Sequence, residues 1–186
     1  YPLLVELFPD RLTADDFERF YLAVNQVQPS LIRVEADEVT YNLHIILRFE
    51  LEQALLEGRL EVEDLPDAWN ARMAEYVGIM PPTNANGVMQ DIHWPSGLVG
   101  YFPTYSLGNL IGAQLYYTLR DAYPDFDDRV AAGDLRFILA WLRENVHRHG
   151  RIYATSELVE RATGKPLDAT YFARYLADKY GSIYGL

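Results

Sequence analysis

From Ser30 to Glu57 the chain contains neither glycine nor proline, and Leu31, Val34, Val39, Leu43, Ile46, Leu47, Leu51 and Leu55 recur along it at helical spacing. Apolar residues three and four apart share one helix face, so this stretch predicts a single helix over 30–57, stopped at Gly58. At ~1.5 Å per residue such a helix is roughly 40 Å long, enough to cross a domain. Other elements must be laid along it. The expected fold class is therefore all-α, a long-helix bundle, with residues 1–186 forming one helical domain or a piece of a larger one.

The flanking sequence supports that class. Thr13 followed by Asp16 resembles a short-acid capping box, and Phe17, Phe20, Tyr21 and Val24 then predict a helix over 14–27. Asp64-Leu65-Pro66 opens another, lined by Trp69, Met73, Tyr76 and Val77 and closed by Gly78. Further helices are expected over 104–120, 123–132 and 134–149, and in a terminal pair stopped by Gly164 and Gly181. Gly108 and Gly112 lie four apart in the 104–120 helix. Each costs on the order of 1 kcal/mol against alanine, which predicts close approach of another helix or a ligand.

Pro81-Pro82 forbids helix continuation, leaving about twenty non-helical residues up to Pro103. This predicts a long ordered loop, with a short β-hairpin near 84–96. It carries Gln90, Asp91, His93, Trp94 and Tyr101, and Tyr105 follows at its exit. Polar groups on stiff turns beside a helix suit a substrate-facing surface.

Composition excludes several chemistries. A net charge of −11 opposes binding to nucleic acid or anionic membranes, which needs dense positive charge. Lys165 and Lys179 are the only lysines, so arginine carries nearly all the positive charge and suits fixed pairing with carboxylates. The absence of cysteine removes disulfides, iron–sulfur clusters, cysteine-based zinc sites and a thiol nucleophile. No apolar run reaches the ~18 to 20 residues of a membrane span, and cytoplasmic localisation is the expectation.

There is no Gly-rich phosphate loop, G-x-S-x-G or H-E-x-x-H. His147 and His149, two apart, do not share a helix face and do not read as a metal pair. The remaining candidates are Arg33, Asp37 and His44 on the predicted long helix, and Gln90, Asp91, His93, Tyr101 and Tyr105 on the loop and its exit. On a helix Arg33 and Asp37 would form an ordinary i,i+4 ion pair. His44, beside Leu43, Ile45 and Ile46, reads first as a core histidine. This set suits binding a peptide and stabilising charge, but does not by itself activate a water.

Three segments, IRVEADEVTYNLHI at 32–45, GVMQDIHW at 87–94 and GYFPTYSLG at 100–108, together resemble the carboxypeptidase Taq (M32) family of metal-dependent carboxypeptidases. The resemblance extends over essentially the whole chain. It implies an all-helical enzyme, active as a homodimer with Zn2+ or Co2+, that removes C-terminal residues from peptides. That family's H-E-x-x-H helix and its downstream glutamate have no counterpart here. They would precede Tyr1, so the resemblance implies the C-terminal part of such an enzyme, without its metal-binding half, supplying substrate-side groups and inactive alone.

Under that resemblance Tyr105, Tyr101 and His93 are the catalytic candidates. Related dipeptidyl carboxypeptidases suggest Tyr105 for the oxyanion and Tyr101 for substrate binding, with His93 donating to the substrate backbone or the same oxyanion. Arg33 would meet the free terminal carboxylate, oriented by Asp37 or Glu35, with Gln90, Asp91 and His44 in support and no metal ligand in this chain. The alternative is a non-catalytic helical module that binds peptides or a protein partner with the same tyrosine-rich wall.

Overall fold

The computed structural model describes residues 1–186. It is helical throughout and contains no β-strand. Nine α-helices follow one another: α1 (Pro2–Leu7), α2 (Phe17–Val24), α3 (Tyr41–Leu56), α4 (Leu65–Tyr76), α5 (Pro103–Ala122), α6 (Phe126–Ala131), α7 (Arg136–Asn145), α8 (Thr155–Thr163) and α9 (Thr170–Tyr184). The chain divides into two compact units, Tyr1–Pro103 and Thr104–Leu186.

In the first unit the expected helix over 30–57 is much shorter. Only Tyr41–Leu56 is α-helical, and upstream lies a 3₁₀ turn at Arg33–Glu35 followed by extended backbone at Ala36. Asp37 supplies the reason: its Oδ1 accepts from the Val39 and Thr40 amides, both at 2.9 Å, and its Oδ2 from Gln28 N and Thr40 Oγ1. A short acidic side chain bonding nearby backbone offers the chain an alternative to helix. The 14–27 helix is shortened in the same way, to a 3₁₀ turn at Ala14–Asp16 leading into α2. The Thr13–Asp16 capping box is present.

α3 and α4 build the first core from Leu47, Leu51, Leu65, Trp69, Met73 and Val77, with Trp94 and Val88 of the loop packed against it. α3 also buries His44, Arg48 and Glu52, so it is enclosed on a polar side as well as an apolar one. The β-hairpin expected near 84–96 is absent. Turns replace it: Thr83 Oγ1 caps a 3₁₀ turn at Asn84–Asn86, Met89 N donates to Asn84 O, and Leu98 N donates to His93 O.

In the second unit Leu119, Phe126 and Phe137 form the core, with Tyr116, Tyr123, Ile138 and Trp141 around them. A Cβ added at Gly108 or Gly112 would meet nothing within 4 Å, so the close approach expected there does not occur in this structure. α9 continues past Gly181 to Tyr184, and Gly185, at φ +68°, ends it instead.

Gln114 is fully buried and ties the α8–α9 connection to α5. Its Oε1 accepts from Asp168 N at 2.9 Å, while its Nε2 donates to Thr163 Oγ1, Lys165 O and Pro166 O. Gln114→Leu keeps the bulk and strands these groups, so urea unfolding should show a loss of about 2 to 3 kcal/mol. A change within about 0.5 kcal/mol would mean that the connection holds without it.

Candidate functional site

The site lies in the first unit, where the loop after Pro82 is fastened onto α3. Asp91 is its centre. Its Oδ1 accepts from Arg33 Nε at 3.1 Å and Arg33 Nη2 at 2.9 Å, and its Oδ2 accepts from Arg48 Nε at 2.6 Å. One carboxylate thus bridges two guanidiniums, from segments 58 and 43 residues away in the chain. Arg33 Nη1 also donates to the Tyr41 hydroxyl, and Arg33 N donates to Gln90 Oε1. Gln90 Nε2 closes the loop by donating to Leu31 O and Asn86 O.

Arg48 has no exposed surface. Its Nη1 donates to His44 O at 2.7 Å, and its guanidinium lies 4.5 Å from the centre of a Trp69 ring and 5.7 Å from that of Phe102. Burial pushes its pKa down to about 10, against the pull of Asp91, so it stays charged near neutral pH. Burial alone would raise Asp91, but Arg48 and Arg33 outweigh it and hold the carboxyl below its usual range.

One turn further along α3, Glu52 is 4% exposed and grips the far end of the same loop. Its Oε2 accepts from Trp94 Nε1 at 2.7 Å, and its Oε1 from Gly100 N at 2.6 Å. His93 lies between the two anchors, 6% exposed, with Nδ1 3.6 Å from Asp91 Oδ1. Its ring centre is 4.4 Å from that of Phe102 and 5.8 Å from that of Tyr101. Burial first, then the two arginines, lowers its pKa, so the imidazole is mainly neutral at pH 7.

Arg33, Gln90, Asp91, His93 and Tyr101 are therefore brought together, with Tyr101 43% exposed. Asp37 takes a different position, its carboxylate engaged with Gln28 and the segment entering α3. Arg33 turns its guanidinium to Asp91 of the distant loop. The i,i+4 pairing is replaced because the helix that would create it does not form. Tyr105 lies in the first turn of α5, in the second unit. Arg48 and Glu52 are the members that the sequence reading misses. The available signal was their i,i+4 spacing after His44 on a helix with apolar residues on its other faces, which leaves no wholly solvent-facing side.

His44 is fully buried. Nowhere do three His, Asp or Glu side chains gather into a set able to hold a metal ion. The residues of this chain therefore do not fit a metal centre of their own. No helix is long and apolar enough to cross a membrane.

A profile of the carboxypeptidase Taq (M32) metallopeptidase family matches residues 1–180, and the chain belongs to that family. Thermostable carboxypeptidase 1 of Pyrococcus furiosus is 46% identical over 182 residues, covering 97% of this chain and 36% of that protein. The Thermus thermophilus protein of the same name is 49% identical over 168 residues, covering 90% and 33%. The crystal structure of the M32 carboxypeptidase from Deinococcus radiodurans R1 matches with a TM-score of 0.95 at 45% identity, covering 98% of this chain and 37% of that one. The chain spans about a third of the length of these relatives.

Burial pushes His44 down to about 4, with Arg48 and Arg33 adding to the effect. Its folded pKa lies below the ordinary 6.5, so unfolding takes up a proton between those values. Stability from this source is complete above about pH 6.5 and declines as pH falls toward about 4. Urea midpoints taken between pH 7 and pH 4.5 should therefore fall less steeply for His44→Leu than for the parent chain. Parallel slopes would show that His44 is not held neutral by the fold.

Proposed function

We propose that this chain supplies the substrate-side groups of a metal-dependent carboxypeptidase that hydrolyses the C-terminal peptide bond of peptides. The observation carrying this reading is that two family segments far apart in sequence meet at Asp91, placing Arg33, His93 and Tyr101 on one fixed platform. Zn2+ or Co2+ would be held by residues outside this chain, where it would polarise the scissile carbonyl and activate water.

The residues present here bind and orient. Arg33 is the group proposed to meet a free terminal carboxylate, which a guanidinium favours over a neutral amide. A neutral His93 has one ring N–H to donate and one nitrogen able to accept, which suits hydrogen bonding to a peptide backbone. Tyr101 offers an exposed phenol for substrate contact. Tyr105 is assigned the second phenol, donating to the oxyanion as negative charge develops on the scissile carbonyl oxygen. A homodimeric, cytoplasmic enzyme is the accompanying proposal, supported by family membership.

The test compares a family-length protein carrying this sequence with the present chain, each given zinc or cobalt, by following release of C-terminal amino acids. The family-length protein should release them and the present chain should not. Binding of peptides without release by the longer protein would favour the non-catalytic module. In that protein, Arg33→Ala should lower kcat/KM at least tenfold for free-terminus peptides and much less for their amides. Equal losses on both would remove Arg33 from carboxylate recognition.

A further inference from the structure

His44, Arg48 and Glu52 are each four residues apart on α3, and all three are buried. Arg48 and Glu52 each reach the loop, at Asp91 in one case and at Trp94 and Gly100 in the other. Between them these contacts bracket residues 91–100 and leave His93 and Tyr101 beside the fixed points. We propose that Arg48 and Glu52 are positioning residues: α3 uses them to set Arg33, His93 and Tyr101 for substrate, although neither touches the substrate itself. The proposal rests on the carboxypeptidase reading for its function, but its geometry stands apart from it.

The two residues divide the task. Arg48 holds Asp91 Oδ2, so Oδ1 remains turned toward Arg33 Nε and Nη2 and toward His93 Nδ1. Without Arg48 the carboxylate keeps a partner on one side only and is free to rotate about its terminal bond. Arg48 itself is steadied by the His44 carbonyl and by the Trp69 ring. Glu52 joins an indole N–H and a backbone N–H that lie six positions apart in the loop, and so fixes the backbone entering Tyr101. The two arginines and two carboxylates balance in charge, which keeps burial of the set from leaving one ion uncompensated.

Glutamine at 52 retains one accepting oxygen where glutamate has two, so one of the two anchors must weaken. Methionine at 48 keeps a long stem without the charge or the donors, whereas lysine keeps the charge on a single point.

The experiment measures NMR hydrogen exchange and His93 titration in this chain, followed by kinetics of the family-length protein, for Arg48→Met, Arg48→Lys and Glu52→Gln. Arg48→Met should speed exchange of the Arg33 Nε–H at least tenfold and raise the His93 titration midpoint. Glu52→Gln should speed exchange of the Gly100 amide or the Trp94 indole N–H by a similar factor. In the longer protein, both changes should lower kcat/KM at least tenfold, and Arg48→Lys should recover part of the loss. If Arg48→Met does not fold, Arg48→Lys and Glu52→Gln carry the test alone. Unchanged exchange at all three N–H groups would overturn the proposal, as would altered exchange with unchanged kcat/KM. Failure of the unsubstituted longer protein to release amino acids would instead overturn the functional reading, and the exchange data would decide the positioning claim by themselves.

Discussion

Everything in the candidate site depends on how one carboxylate is shared. Asp91 lies in a loop that has no strand and no helix at that point, yet its oxygens are each committed to a different guanidinium. Charge-assisted bonds of this kind are stronger than neutral ones, and in a buried setting each partner left alone is costly. The loop therefore has one favourable seat on α3. Arg33, whose own segment is a single 3₁₀ turn, gains its position from the same bond rather than from local helix.

That seat works because α3 is enclosed on several sides. Its Leu47 and Leu51 pack with Trp69 and Met73 of α4, and Arg48 and Glu52 turn toward the loop. A helix with one apolar stripe would have sent Arg48 and Glu52 to water. Trp69 and Phe102 seal Arg48 from solvent while their ring faces favour a cation, so the apolar core and the charged site share a wall. The same burial keeps His93 neutral, the state in which an imidazole both donates and accepts.

The helical class, α4, and the helices from α5 onward were legible from their apolar spacing, although the last runs past Gly181 to Tyr184 and the one expected over 134–149 ends as an α-helix at Asn145. Legibility failed where side chains compete with backbone: Asp37 bonds to the Val39 and Thr40 amides and dissolves the front of the expected long helix. It failed again at 84–96, where turns occupy the backbone groups that a hairpin would have used. For the site, the motifs at 32–45 and 87–94 singled out Arg33, Gln90, Asp91 and His93, which do meet. The pairing of Arg33 with Asp91 was not legible, since a spacing of 58 residues leaves no periodic trace. Arg48 and Glu52 were hidden because charged residues on a helix ordinarily face water.

The central claim is that Asp91 couples Arg33 to Arg48. A double-mutant cycle measures this directly, using unfolding free energies of the parent chain, Arg33→Met, Arg48→Met and the double substitution at pH 7. With one carboxylate serving both arginines, the second loss strips Asp91 of its last partner. The double substitution should then be more destabilising than the sum of the single ones by at least about 1 kcal/mol. Additivity within about 0.5 kcal/mol would contradict the account, because it would show two independent arginines.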